Sequence, residues 1–156
     1  MEAIITLGTL TELDADTRYL VDQARHALSY SYAPYSRFHV GAALLLTEGT
    51  IVSGANQENA AYPECMCAER VALYNKAIQF PQQNISTMAV VARKTSDENL
   101  SPASCCGSCR QVLLEFELRQ DRAIAVIFQY ETGLWAKATS ASALLPYGFT
   151  PTTLRP

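Results

Sequence analysis

Between Thr11 and Tyr32 the apolar residues Leu13, Leu20, Ala24, Ala27 and Leu28 recur near the helical period, with charged residues between them. That spacing predicts an amphipathic helix. Pro34 sets its limit, because the residue before a proline is pushed out of the helical region. Phe38 to Thr47 is apolar and β-branched enough for a strand, Glu48-Gly49 reads as a turn, and Ile51 to Ala55 returns as the second arm of a hairpin. Cys67 to Phe80 reads as a helix stopped by Pro81. Thr87 to Ala92 is a continuous apolar run of the kind buried on both faces. A polar loop, Arg93 to Ser104, leads to a third helix over Cys106 to Arg119. Ala123 to Phe128 is another buried strand, Glu131-Thr132-Gly133 a turn, Leu134 to Ala138 a last strand and Ser140 to Leu145 a short helix. Residues 1–10 carry no assignable pattern. The order α, β, β, α, β, α, β, β, α implies a mixed sheet covered on its faces by helices.

Composition narrows the class. The 156 residues are 49% hydrophobic, enough for one core, and no repeat or linker divides them. A single domain over 1–156 is expected, with its core at about 11–149. A net charge of -3 argues against an electrostatic grip on nucleic acid, which needs clustered Lys and Arg. It leaves room for a neutral small molecule. The opening Met1-Glu2-Ala3 does not resemble a secretory signal. The longest apolar stretch, Val40 to Leu46, is far short of the roughly 20 residues that span a bilayer. The expectation is a soluble, cytoplasmic protein with no membrane or nucleic-acid partner.

The five cysteines, Cys65, Cys67, Cys105, Cys106 and Cys109, lie in two tight clusters. A disulfide framework would scatter an even number through a secreted chain, so this pattern points to metal or redox chemistry. Cys106 and Cys109 are one helical turn apart and can face one point. Cys67 can complete a set of three thiolates, each favoured by the dipole and free amides of a helix start. Three thiolates leave the fourth tetrahedral position of zinc open, the pattern of a catalytic site. They also leave the site negatively charged, and Arg70 and Arg110, each one residue past a ligand, are candidates to donate to the sulfurs. Glu69, two residues past Cys67, can reach the open position without binding the metal and move a proton there.

Taken singly, these residues have ordinary readings. A lone C-x-x-C is equally a redox pair or half of a structural zinc site. Asn56 and Glu58 alone are a solvated loop after a strand. Phe38 alone is core, and Tyr62 and Phe149 are packing aromatics. His26 and His39 read as structural, and Cys65 and Cys105 as small buried apolar residues.

Together the pieces resemble the small zinc-dependent cytidine deaminases. The resemblance is carried by Ala33 to Leu44 (APYSRFHVGAAL), Gly54 to Pro63 (GANQENAAYP), Cys67-Ala68-Glu69-Arg70, Cys106 to Leu113 (CGSCRQVL) and Leu144 to Phe149 (LLPYGF). It implies a three-layer α/β/α sandwich around a mixed five-stranded sheet. It also implies one zinc ion per subunit on Cys67, Cys106 and Cys109, with Glu69 as proton shuttle. Asn56 and Glu58 would bond the ribose hydroxyls, Phe38 would pack on the substrate, and the backbone around Ala68 would read the pyrimidine edge. Tyr62 and Phe149 would complete a neighbouring subunit's pocket in a homotetramer with composite sites. The implied reaction is hydrolysis of cytidine and deoxycytidine to uridine, deoxyuridine and ammonia, a step of pyrimidine salvage.

One departure stands out. The family usually has proline just before the second motif, where this chain has Cys105. The fixed backbone of proline is lost, and a spare thiol sits beside a ligand. Cys65 is a second spare thiol, and the two are expected near each other or near the metal, with some redox sensitivity. Two alternatives stay open. One is a deaminase of another small molecule such as blasticidin S. The other is a non-catalytic zinc-binding interaction module with its fourth position filled by Cys65 or Cys105.

Overall fold

Alternate residues of a strand point to opposite faces of its sheet, and here both faces are apolar. In the computed structural model, which describes residues 3–154, six strands form one sheet in the order β1-β6-β5-β4-β2-β3. They are β1 (Ile4–Thr9), β2 (Phe38–Leu46), β3 (Ile51–Ala55), β4 (Ile85–Lys94), β5 (Ala125–Glu131) and β6 (Leu134–Ala138). β4 and β5 run parallel, and the other neighbours are antiparallel. The helices are α1 (Ala15–Ala27), α2 (Ala68–Gln79), α3 (Gly107–Gln120) and the short α4 (Ala141–Leu144). Ala42, Leu44, Met88 and Val90 pack with Ala72, Leu73, Leu113 and Phe116 of α2 and α3. Ala43, Ala89, Val91 and Trp135 pack on Leu20, Val21 and Ala24 of α1. The result is the expected three-layer α/β/α arrangement with a mixed sheet. No helix among the described residues is long and apolar enough to cross a membrane.

The sheet has six strands where five were expected, because the unassigned N-terminal residues form β1 against β6. Ile4 and Ile5 on this edge strand are 41% and 39% exposed, so no burial alternation marks them, and pairing with β6 makes the strand. β1 also lies before the expected core at 11–149. The first helix is shorter than Thr11 to Tyr32. Asp14 accepts from the Thr17 backbone N–H at 2.9 Å and from its hydroxyl at 2.7 Å, an N-cap that starts α1 at Ala15. After Ala27 the chain tightens into a 3-10 turn, Leu28–Tyr30. β4 outruns its apolar stretch because β2 pairs with it along its whole length, from Phe38 opposite Lys94 to Leu46 opposite Ile85.

This topology gathers three chain ends on one edge. β2 starts where β3 and β4 end, and the segments leaving β3 and β4 lead to the first turns of α2 and α3. Bridges between Gln57 and Met66, Ala92 and Ser101, and Ala103 and Gln129 hold these segments down. Ligand sites of α/β sheets form at the carboxyl ends of strands for this reason. α2 sits unusually close to β3, because a Cβ on Gly54 would fall on the backbone of Ala68 and Ala72.

At the far end of α3, Glu117 is 7% exposed. Its carboxylate accepts from the backbone N–H groups of Ile124 at 2.8 Å, Ala141 at 2.6 Å and Ser142 at 3.0 Å. It ties α3 to the start of β5 and caps α4. Glu117→Ala would leave three backbone donors unpaired and is expected to cost about 3 kcal/mol or more, a drop of about 6–12 °C in melting temperature. A thermal melt within 2 °C of wild type, roughly the smallest shift that counts on this scale, would remove Glu117 from the structural frame.

Candidate active site

Cys67 and Cys106 stand one residue before their helices, as the N-caps of α2 and α3. The Cys106 sulfur accepts from the Cys109 N–H at 3.4 Å, which turns it inward over the first turn of α3. The three sulfurs of Cys67, Cys106 and Cys109 lie within 4.8 Å of one another, and those of Cys67 and Cys106 are 3.8 Å apart. Two sulfurs bound ~2.3 Å from one tetrahedral zinc ion are separated by about 3.8 Å. The donor set therefore fits such an ion. Cys109 is fully buried and Cys106 exposed, so the cluster opens on one side only.

Within the cluster the thiolate is favoured at Cys67. Hydrogen bonding from the Cys109 thiol, then from Arg70 and Cys106, lowers Cys67 to about 5 against the opposing effect of burial. The matching bond holds Cys109 as the thiol in the absence of a metal, with its pKa raised. Arg70 reaches the Cys67 sulfur through Nη2 at 3.6 Å. Arg110 does not point at a sulfur, contrary to expectation. Its guanidinium donates to the carbonyls of Cys105 at 2.8 Å and Leu144 at 3.2 Å and to the Ser104 hydroxyl at 3.3 Å. It braces the loop before Cys106 against the C-terminal segment. Three carbonyl and hydroxyl acceptors in reach outcompete a sulfur, the weaker acceptor.

A pocket of about 360 Å³ opens beside the cluster, lined by Phe38, Val40, Asn56, Glu58, Cys67, Glu69 and Cys106, with Ser36, Gln57, Cys65, Met66, Val90, Ala103 and Ser104. Its size suits a small molecule. Glu69 sits in the first turn of α2, 4% exposed. Burial first, then the negative charge of Cys67, raises its pKa above the usual carboxylate range. Asn56 bonds Val40 N, Phe38 O and the Ser31 hydroxyl. The Glu58 carboxylate accepts from the backbone N–H groups of Tyr35 at 2.9 Å and Ser36 at 3.2 Å. Hydrogen bonding from Ser36 foremost holds Glu58 below the usual carboxylate range.

The structure thus brings Phe38, Asn56, Glu58, Cys67, Glu69 and Cys106 to one pocket. Ala68 opens α2 with its side chain in the core. Tyr62 does not line this pocket; with Tyr35, Ser36, Glu58 and Cys65 it lines a second one, edge-to-face with Tyr35 at 5.9 Å between ring centroids. Phe149 stands apart from the pocket, 58% exposed, its backbone held by Gln111. Of the spare thiols, Cys65 exchanges bonds with the backbone of Asn59. Cys105 is 2% exposed and faces Glu69. Both are free, and neither joins the three-sulfur cluster. Val40 and Val90 were missed as lining residues. The signal for Val40 was its place two residues past Phe38 on one strand face, but Val90 needed the register of β4.

A family model described as the cytidine and deoxycytidylate deaminase zinc-binding region matches residues 14–125. The cytidine deaminase of Halalkalibacterium halodurans is 44% identical over 100 residues, 64% of this chain and 71% of its own length. That of Sporosarcina psychrophila is 44% identical over 101 residues, 65% of this chain and 70% of its own. Among solved structures, the cytidine deaminase of Burkholderia pseudomallei aligns over 88% of this chain and all of its own, with a TM-score of 0.69 and 35% identity. That of Mycobacterium tuberculosis gives a TM-score of 0.69 at 31% identity, over 88% of this chain and 99% of its own.

Proposed function

Because the chain belongs to the cytidine and deoxycytidylate deaminase family, we propose that it hydrolyses the amino group off free cytidine and deoxycytidine, releasing ammonia, with one zinc ion per subunit. It is an enzyme, a hydrolase of carbon–nitrogen bonds. The observation that carries the substrate reading is the pocket itself, whose lining combines two cysteines of the three-sulfur cluster, the buried Glu69 carboxylate, the Asn56 amide and the Glu58 carboxylate.

Cys67, Cys106 and Cys109 would hold the ion, which when bound supplies Lewis acidity at its open fourth position. Arg70 offsets part of the thiolate charge through the Cys67 sulfur. Glu69 takes a proton from the hydrolytic water and delivers it to ring nitrogen N3, as a bond forms between the water oxygen and C4. It then takes the remaining proton from the new C4 hydroxyl and passes it to the departing amine, so that the C4–N bond breaks and a C4 carbonyl is left. Its burial keeps bulk water from competing for that proton. Phe38 and Val40 form an apolar wall beside the base, and the backbone around Ala68 reads the pyrimidine edge. Asn56 and Glu58 hold the sugar, a demand that a free base would not make. Cys65 keeps to Asn59 and Cys105 to the core, which supports an open fourth position over a closed interaction module.

Residues 1–156 are proposed as a single deaminase domain that assembles as a homotetramer with composite sites. Tyr62 at 69%, Phe149 at 58% and Tyr147 at 101% exposure are aromatic surface that an assembly would cover.

The test is loss of the cytidine absorbance band with ammonia release, using zinc-loaded protein and with deoxycytidine and blasticidin S in parallel. Turnover of the two nucleosides is expected. Turnover of blasticidin S alone, or of nothing by protein shown to hold zinc, would overturn the reading.

A further inference from the structure

The proton order around Asn56 can be worked out from its neighbours. The Val40 N–H can only donate and lies 2.9 Å from Oδ1, while the Phe38 carbonyl can only accept and lies 2.9 Å from Nδ2. These two fix which end of the amide is oxygen. The Ser31 hydroxyl also lies on Oδ1, and since that oxygen has no proton to give, Ser31 donates its own. The His39 ring meets the same Ser31 oxygen through Nδ1 at 2.9 Å, so Nδ1 carries a hydrogen and donates it. At the other side of the ring, Nε2 is 2.9 Å from the Thr95 hydroxyl. A neutral ring accepts there. A protonated ring donates there, and Thr95 then gives its hydrogen to the Arg37 carbonyl at 3.2 Å. The Nδ1–H to Ser31 link is the same in both states.

This order decides what Asn56 offers to the pocket. Val40 and Ser31 occupy both acceptor positions of Oδ1, and Phe38 takes one of the two hydrogens on Nδ2. The remaining N–H is the group left for a ligand. The two backbone hydrogen bonds to the Glu58 carboxylate share one oxygen, Oε2, so the carboxylate keeps lone pairs with which to accept from a ligand. A donor and an acceptor lining one pocket match a hydroxyl, which does both. His39 itself lies between Phe38 and Val40 on β2 and so points to the face opposite the pocket that they line.

We propose that His39 is a positioning residue for sugar recognition: by donating to Ser31 it holds the Asn56 amide with an N–H turned toward a hydroxyl of the nucleoside. The inference rests on the nucleoside reading of the pocket. Ser31 follows α1, His39 lies in β2 and Thr95 follows β4, so the relay also pins three segments beside Asn56. Without the imidazole, the Ser31 hydroxyl is free to rotate away from Asn56.

The test compares His39→Phe, His39→Asn and Ser31→Ala, with cytidine, deoxycytidine and 2′,3′-dideoxycytidine as substrates. His39→Phe keeps a ring and loses the donor, whereas Asn can place an amide N–H near the position of Nδ1. For cytidine, KM is expected to rise about fivefold in His39→Phe and Ser31→Ala, the worth of one neutral hydrogen bond, with kcat within about twofold of wild type. His39→Asn should restore KM to within about twofold of wild type. On dideoxycytidine the variants should match wild type, because the hydroxyl that reads Asn56 is missing. Deoxycytidine then tells which hydroxyl it is. Equal losses on cytidine and dideoxycytidine, or no change in KM in any variant, overturn the proposal. If wild type turns over no nucleoside, it is the substrate reading that fails. The relay is then decided by nitrogen-detected NMR of His39, where a neutral ring with its hydrogen on Nε2 overturns it and one with its hydrogen on Nδ1 sustains it.

Discussion

Glu69→Gln is expected to keep its metal and lose turnover on the order of 10³-fold or more. General acid–base groups contribute about 10²–10⁴-fold to a proton transfer, and here one carboxylate serves the ring nitrogen and the leaving amine in turn. The amide is nearly the same size, so the 4% exposed site stays filled and the three sulfurs are untouched. Gln can still donate a hydrogen bond, but it cannot accept and release a proton. The measurement is kcat with cytidine beside zinc content by elemental analysis. A loss of turnover with full zinc and an unchanged melt isolates the proton transfer. A rate within tenfold of wild type, roughly a tenth of the smallest contribution such groups make, would take the role away from Glu69.

The second large effect concerns the sulfurs. Cys106→Ser should weaken zinc affinity by more than about 100-fold, beyond what loss of an indirect partner does, and abolish turnover. Because Cys106 is exposed, the fold should survive, with a circular dichroism spectrum like that of wild type. Cys109→Ser removes a sulfur that is fully buried in the core. It should lose the metal and also lower the melting temperature, because a hydroxyl replaces an apolar contact there. Cys65→Ser is the control. Its thiol bonds to the backbone of Asn59, so zinc content and turnover should stay near wild type. Cobalt substituted for zinc gives a spectroscopic check, since thiolate-to-cobalt absorption should fall with each ligand lost and stay unchanged in Cys65→Ser. Loss of metal in Cys65→Ser with retention in Cys106→Ser would mean that the site is closed by a different set of sulfurs.

Much of this site was legible in the chain because its parts are local. The Cys106-Gly107-Ser108-Cys109 spacing places two thiols on one turn, and both helix starts could be located to within a residue. The hairpin Phe38–Leu46 and Ile51–Ala55 was equally plain, since two apolar runs and the Glu48-Gly49 turn between them are short-range features. Where the reading fell short, the deciding contact came from far along the chain. Ile4–Thr9 is a strand because β6, more than 120 residues later, offers it an edge. Arg110 looked like a partner for sulfur by adjacency, yet Leu144 and Ser104 claim its guanidinium. Cys65 and Cys105 looked alike as spare thiols, and packing separates them, one at the pocket and one in the core beside Glu69.

By itself, then, the sequence determined the residues of the proposed chemistry and the element each one stands on: two cysteine caps, a C-x-x-C turn and a carboxylate one step into α2. Periodicity and capping act over a few residues and need no fold to be read. The tertiary structure alone decided that Cys67 meets Cys106 across 39 positions. It also decided that Asn56 turns an N–H and not its oxygen to the pocket, and that His39, unremarkable on its strand, stands behind that choice. Those outcomes depend on sheet order and strand register, which are set by the packing of both faces at once and by hydrogen-bond partners that no local pattern can name.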